Sequence, residues 1–429
     1  MPSALSLLRP LIERPRVLMV THVVPYPPGA GNEIRIYKLL KWLSREGWGI
    51  TLILKPLGDV ELTNESVIGL RDVVDDLHVF DNRVVPGWAD IHDPTVRQQV
   101  DTDLQDSQLS SIQDGFCPAW FVEEVARIAR VSNPRVVIAE YVFMSRVLML
   151  PEFNQALRII DAHDIFSNKE AAINQYGIKN YPLNLTKAQE RKLLERSEVV
   201  LAIQRAEQNE MIRLLPERKV ILASFDVNIH EADFARMVPN RVLIVASGNE
   251  FNVRGAQDFL DYIWPLIREI NPAAHLHVVG RICSQVSSDD ATVSLLGFVE
   301  NLEGQYEEAA VVVNPCRVGT GLKIKTIEAL AWGKAHVAWP SGVDGLHELG
   351  DVPVMVATNV VDFADAVSEL LHNPLKREEI EKRAHRFMRE YFSVEQVYGQ
   401  LKIEIDSFRS TKNRVAGCLV AELRLFLRQ

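Results

Sequence analysis

Two short apolar runs, RVLMVT at Arg16–Thr21 and RVLIVA at Arg241–Ala246, each open a cycle in which strand-like and helix-like segments alternate. Neighbouring parallel strands cannot be joined by a tight turn and need a crossover of a dozen or more residues, usually a helix. Alternation of this kind therefore predicts a parallel sheet with helices on both faces, and its restart at Arg241 predicts two. In the first cycle, PYPPGAG follows the opening strand. Ile34, Tyr37, Leu40 and Leu43 then give Glu33–Arg45 helical spacing, and Ile50–Leu54 is the next strand. Further on we read helices at Phe121–Arg130 and Thr186–Arg196, the latter opened by the capping pair Thr186 and Gln189. Strands are expected at Arg135–Glu140, Leu157–Asp161, Glu198–Ile203 and Lys219–Ala223, with Val84–Trp120 irregular or weakly helical.

After a linker at Asp226–Asn240, the second cycle carries helices at Gly255–Glu269, Leu302–Ala309, Ile324–Trp332 and Val360–Leu371. Its strands are His275–Gly280, Val293–Leu296, Ala310–Val313 and Ala335–Trp339. The reading is α/β throughout: two Rossmann-like, doubly wound domains, residues 1–235 and 236–394, facing a central cleft. The tail is expected to be helical, and residues 395–429 pack back on the first domain or cross between domains. Its amphipathic end, GCLVAELRLFLRQ, also suits a peripheral membrane contact.

The segment NPCRVGTGLKIKTIEALAWGK, from Asn314 to Lys334, concentrates the chemistry. Gly319 and Gly321 let a backbone approach a ligand closely, and Lys323 and Lys325 stand where a helix begins, with unpaired N–H groups and a positive dipole end. Glu328 follows about a turn later, where a carboxylate can accept two hydrogen bonds from a sugar diol. Strand, glycine loop, basic helix start and acid together suit a nucleoside diphosphate.

Composition narrows the class. Lys and Arg number 47 against 57 Asp and Glu, a formal charge of −10 that argues against a general nucleic-acid binder. The four cysteines, Cys117, Cys283, Cys316 and Cys418, have no zinc or disulfide spacing, so a reducing cytoplasm fits. No run reaches the ~18 apolar residues of a membrane span. The N-terminal apolar patch is interrupted by Arg9, Glu13 and Arg14, which makes a cleaved signal peptide a poor fit.

Two facing Rossmann-like domains, PYPPGAG after the first strand and GTGLKIKTIEALAWGK towards the end resemble the retaining, GT-B-fold nucleotide-sugar glycosyltransferases of family 4, glycosyltransferase group 1. The resemblance implies that Glu328 binds the donor ribose. Gly29, Ala30 and Gly31 would bring backbone to the donor phosphates and sugar, with Arg35 at an often basic position behind them. It implies a donor loop formed by Arg317, Gly319, Thr320, Gly321, Leu322, Lys323 and Lys325, and a nucleobase region at Gly297 and Phe298. Thr320 stands where the family usually has a second acid. Of the family's two diphosphate cations, Arg254 keeps one, Asn249 replaces the other, and Arg317, Lys323 and Lys325 are candidates to restore the charge. His163 matches a family histidine near the acceptor and the reacting carbon. Asp164 would orient its ring or cap a helix, and Glu140 would bind acceptor hydroxyls.

The implied activity is metal-independent sugar transfer from a UDP- or GDP-sugar to an acceptor hydroxyl with retention, in polysaccharide or glycoconjugate assembly. The implied acceptor is a glycan or lipid-linked glycan, with no cofactor, no nucleic acid, and a cytoplasmic location that includes the inner membrane face. A sugar-nucleotide epimerase of similar architecture, or a nucleotide-sugar or glycan-binding module without activity, remains the alternative.

Overall fold

The computed structural model describes residues 14–57, 62–80, 107–168, 183, 185–230, 234–299, 301–317 and 322–407. In chain order the first part carries β1 (Arg16–Thr21), α1 (Gly31–Arg45), β2 (Gly49–Leu54), α2 (Asn64–Arg71), β3 (Asp76–Val79), α3 (Ser107–Phe116) and α4 (Ala119–Ser132). It continues through β4 (Val136–Glu140), β5 (Leu157–Asp161), α5 (Lys187–Leu194), β6 (Val199–Ala202), α6 (Arg205–Leu214) and β7 (Lys219–Leu222). These strands form one sheet in the order β3-β2-β1-β4-β5-β6-β7, parallel at every pairing. Strands β1, β2 and β4 are buried along nearly their whole length, as a sheet covered on both faces demands.

The second part carries β8 (Arg241–Val245), α7 (Glu250–Asp258), α8 (Trp264–Ile270), β9 (His275–Val279), β10 (Val293–Leu295), α9 (Glu303–Glu308) and β11 (Val311–Asn314). Then come α10 (Ile324–Ala331), β12 (His336–Ala338), β13 (Met355–Val356), α11 (Val360–His372) and α12 (Pro374–Tyr391). A π-helical turn at Phe259–Ile263 joins α7 to α8. The sheet order is β10-β9-β8-β11-β12-β13, again parallel.

The chain divides into two compact units, one of described residues up to Phe225 (204–206 excepted) joined again from Tyr398, the other from Asp226 to Val397 together with 204–206. A last helix, residues 394–407, brings Tyr398 face to face with Trp42 at 4.6 Å, and Lys402 and Glu404 pair with Glu46 and Lys219. The amphipathic end of the tail and Cys418 lie outside the described residues. Among the described residues, no helix is long and apolar enough to cross a membrane.

Two sequence expectations need correction. The end of the stretch expected to be irregular or weakly helical forms two regular helices, because Leu109, Phe121 and their neighbours join the first core and tertiary burial outweighs the polar local pattern. The helix expected from Gly255 begins at Glu250, where the Asn249 side chain accepts a hydrogen bond from Asn252 N at 2.9 Å and starts it one turn earlier.

Candidate functional site

In open parallel sheets, ligands bind outside the carboxyl ends of the strands where the winding direction reverses. The strand orders put those points between β1 and β4 in the first unit and between β8 and β11 in the second. Polar side chains gather at both.

At the first, β4 and β5 run in register with Glu140 opposite Asp161, and the chain leaves both strands in unusual conformations. Tyr141 has φ 68° and ψ 150°, and His163 has φ 61°. Asp164 N donates to Ala162 O at 2.8 Å, closing a γ-turn of the rare hand about His163. Non-glycine residues held in these regions cost roughly 1–3 kcal/mol each and persist where the surroundings impose them. Here they stack the Tyr141 and His163 rings 4.0 Å apart at 6°. His163 Nε2 meets Glu140 Oε2 at 2.6 Å, and Asp161 Oδ2 lies 3.8 Å from the same nitrogen.

Arg35, from α1, reaches Asp161 with three hydrogen bonds of 2.7 to 3.0 Å and donates further to the carbonyls of Ala223 and Ser224. Its role is thus a buried ion pair. Glu140 is fully buried, and burial, then the Asp161 charge, push its carboxyl up to about 7. His22, at the end of β1, packs on Phe116 and Tyr141, and burial pushes it down to about 3.

Several expected roles fall elsewhere. Glu140 sits behind His163 and is closed to an acceptor hydroxyl within its unit, because the β4–β5 register turns it towards Asp161. The His163 ring is held by Glu140, and the first amides of the following helix, Phe166 N and Ser167 N, go to Glu190 at 2.8 and 2.9 Å. The amides of Gly29 and Ala30 both donate to Glu33 Oε2 at 2.7 Å, and Gly31 is the first residue of α1. The anion on those amides is therefore the helix's own carboxylate.

At the second switch point, the turn after β11 is held from several sides. Gly255 lies against it so closely that a Cβ there would meet Pro315 O at 2.7 Å, while Trp339 Nε1 bonds Pro315 O at 3.1 Å and Ser341 Oγ bonds Cys316 O at 3.1 Å. The Arg317 guanidinium lies 3.9 Å above the Trp339 ring. On α10, buried Thr326 donates to Gly342 O at 2.7 Å and fixes the helix start. Lys325 bonds Asn252 Oδ1 in the first turn of α7, and Asn252 is also tied to Ser247 at 2.9 Å. Burial lowers the ammonium pKa of both Lys323 and Lys325, and the Lys323 charge lowers that of Lys325 further, while Asp344 opposes the shift at Lys323 and Glu328 the shift at Lys325. Glu328 is half-buried on the same helix, close enough to raise the phenol of fully buried Tyr306 beyond what burial alone does.

Arg254 is exposed on α7, and Asn249, in place of the second cation, is the cap of that helix. Gly297 has φ 72°, and Phe298 beside it is 69% exposed with Arg281 5.9 Å from its ring. Leu322 is half-buried near Gly345. Gly319, Thr320 and Gly321 lie outside the described residues.

Residues 239–373 match the family model described as glycosyl transferases group 1. The C-terminal unit carries a glycosyl transferase group 1 domain. The fold agrees across both units with GT-B glycosyltransferase structures. HepE from Anabaena, solved with UDP and glucose, is 15% identical, with 92% of this chain and 100% of that chain covered at a TM-score of 0.60. Sucrose-phosphate synthase from Thermosynechococcus elongatus is 15% identical, covering 93% and 100% at 0.57. A mutant of TarM from S. aureus, solved with Fondaparinux, alpha-GlcNAc-glycerol and UDP, is 12% identical, covering 91% and 99% at 0.60. No curated protein matches the chain by sequence.

Sequence reasoning missed Asp161, Tyr141, Asn252 and Trp339. For metal binding, Glu140, Asp161 and His163 offer ligand atoms within 4.8 Å of one another, but both Asp161 oxygens are already bonded to Arg35. A cation would have to displace the guanidinium, so the group is better suited to holding a proton.

Proposed function

We propose that the protein transfers a sugar from a UDP-sugar to an acceptor hydroxyl with retention at the anomeric carbon. The observation that carries this reading is the convergence of Arg317, Lys323 and Lys325 with Glu328 at the switch point of the group 1 domain. Partly desolvated ammonium groups are stabilised by an anion, and a diphosphate supplies one that forms charge-assisted hydrogen bonds. Glu328 grips the ribose, and Phe298 with Arg281 provides an exposed face for the base. Structural relatives solved with UDP or UDP-glucose support uracil over guanine.

During transfer, negative charge grows on the departing diphosphate while the sugar gains oxocarbenium character. The three cations and the start of α10 stabilise that charge, in the position a divalent ion takes in other transferases. The leaving phosphate takes the acceptor proton on the same face of the sugar. His163 contacts the transferred sugar or the acceptor, which we take to be a glycan or lipid-linked glycan. Titration calorimetry with UDP and GDP, with and without EDTA, tests the donor site. UDP is expected to bind below millimolar and unaffected by EDTA; failure of both nucleotides to bind more tightly than millimolar refutes it.

An epimerase is the second reading, since a putative UDP-N-acetylglucosamine 2-epimerase from Listeria monocytogenes shares the fold at a TM-score of 0.53 and 11% identity. Turnover of a UDP-sugar to its epimer without acceptor, followed by proton NMR, would favour it.

A further inference from the structure

The four ionisable groups at the ends of β4 and β5 fix a proton count. Arg35 and Asp161 form a bidentate pair and cancel. Glu140 is in contact with His163, and all four residues are at most 5% exposed. With Glu140 ionised and His163 neutral, the cluster would hold one uncompensated negative charge out of water, which is costly. Glu140 Oε1, moreover, meets no hydrogen-bond partner among the described residues.

One added proton makes the cluster neutral. It resides on His163 or on Glu140, and both cases leave hydrogen on the same ring atom. An imidazolium carries N–H at both nitrogens, and a neutral ring accepting from a protonated Glu140 at Nε2 must carry its hydrogen at Nδ1. Neighbouring groups do not upset the count. His22, facing from the end of β1, is pushed down to about 3 by burial, then by the charges of His163 and Lys55, and so stays neutral. Lys55 is bonded to the carbonyl of Gly115, and burial holds the Tyr141 phenol protonated. Asp164, beyond the γ-turn, is half-buried, and its charge acts on the Tyr141 phenol. The Tyr141 ring, parallel to the imidazole, fixes its plane.

We propose that Glu140 is a positioning residue that keeps a proton on His163 Nδ1, so that this histidine meets a ligand oxygen as a hydrogen-bond donor and does not serve as a base towards the acceptor. The ligand part rests on the reading above, that His163 contacts the transferred sugar or the acceptor. The proton part rests on the cluster alone.

Histidine-selective nitrogen-15 labelling tests the two separately, with His163→Gln used to assign the His163 signals. In the wild-type protein at about pH 7.5, Nδ1 is expected to be protonated. In Glu140→Ala that preference should be lost, and Glu140→Leu keeps the side-chain volume if the alanine variant does not fold. A bare Nδ1 in the wild type, or an unchanged Nδ1–H in both variants, overturns the proposal. UDP-glucose should then shift the His163 signals of the wild type. Should Nδ1 be protonated yet unmoved by UDP-glucose while UDP binds, His163 has been wrongly placed at the substrate and Glu140's hold on the proton stands. In Glu140→Leu, kcat should fall about a hundredfold, the scale of one lost transition-state donor, with the Kd for UDP little changed. Loss of UDP affinity in step with kcat would indicate a structural role and count against the proposal.

Discussion

Replacing Arg35 with methionine isolates the electrostatics of the first unit. The guanidinium makes three hydrogen bonds to Asp161 and two to the carbonyls of Ala223 and Ser224, all buried. Met fills much of the volume but leaves Asp161 unpaired and in register with Glu140. Removing one partner of a buried pair costs about 3–5 kcal/mol, and each orphaned carbonyl adds roughly 1 kcal/mol. The variant should therefore lose about 5–7 kcal/mol at pH 8, as measured by urea unfolding of the N-terminal unit.

The sign of the pH dependence follows from the same contact. Without its cation the buried Asp161 carboxylate is left uncompensated beside Glu140, and protonation removes that charge, so the penalty for Arg35→Met should shrink on acidification. The double variant Arg35→Met with Asp161→Leu removes both charges, and should recover all but the roughly 2 kcal/mol of the two carbonyls. A single variant within about 1 kcal/mol of the parent at pH 8, or a double variant as unstable as the single, would refute the assignment of Arg35 to a buried charge pair.

Glu328→Ala should weaken UDP binding by about 1–3 kcal/mol in titration calorimetry, the scale of a lost charged hydrogen bond; unchanged affinity would show that the ribose contact is misassigned. Lys325→Met should weaken UDP binding and flatten its salt dependence, while uridine binding stays nearly constant. Glu33→Ala removes the acceptor for Gly29 N and Ala30 N and should cost about 0.5–2 kcal/mol of stability, read from the thermal midpoint. His22 is depressed to about 3 when folded, so its contribution is present above the unfolded value of 6.5 and falls as pH drops towards 3. Relative to the parent, His22→Phe should thus gain about 2 kcal/mol between pH 7.5 and pH 5 in urea unfolding. Comparison with the parent is needed because Glu140 and Glu381, both raised to about 7, oppose the histidines over part of that range.

The strands that build each sheet's centre were legible because their signal is local. Runs such as RVLMVT and VVIAE are apolar on both faces, and this holds wherever the partner strand lies. The short edge strands Asp76–Val79 and Met355–Val356 carry no such run, being exposed on part of their length, and were not read. The polar partners were invisible for a different reason: Arg35 and Asp161 are 126 residues apart, and what joins them is the packing of α1 against the sheet. The positive-φ backbone of Tyr141, and of His163, which the sequence did single out as a candidate, was hidden further, since sequence offers glycine as the sign of left-handed backbone and these are aromatic. Glu33 did leave a sign, an acid three residues after the helix cap, but the glycines around it suggested a ligand and hid its carboxylate as an acceptor for those amides.

What survives these misses is position. Where successive crossovers turn to opposite faces, adjacent strand ends are left uncovered by any connecting loop, and polar groups there can be both held and reached. Tyr141, on which His163 stacks from the end of the next strand, and Lys325 stand at those two places, one in each sheet, and the order of the strands alone would have put a site there. The identity of the side chains behind His163 and Lys325, Glu140 and Asn252, depends on register and helix packing, and that is where the chemistry is tuned.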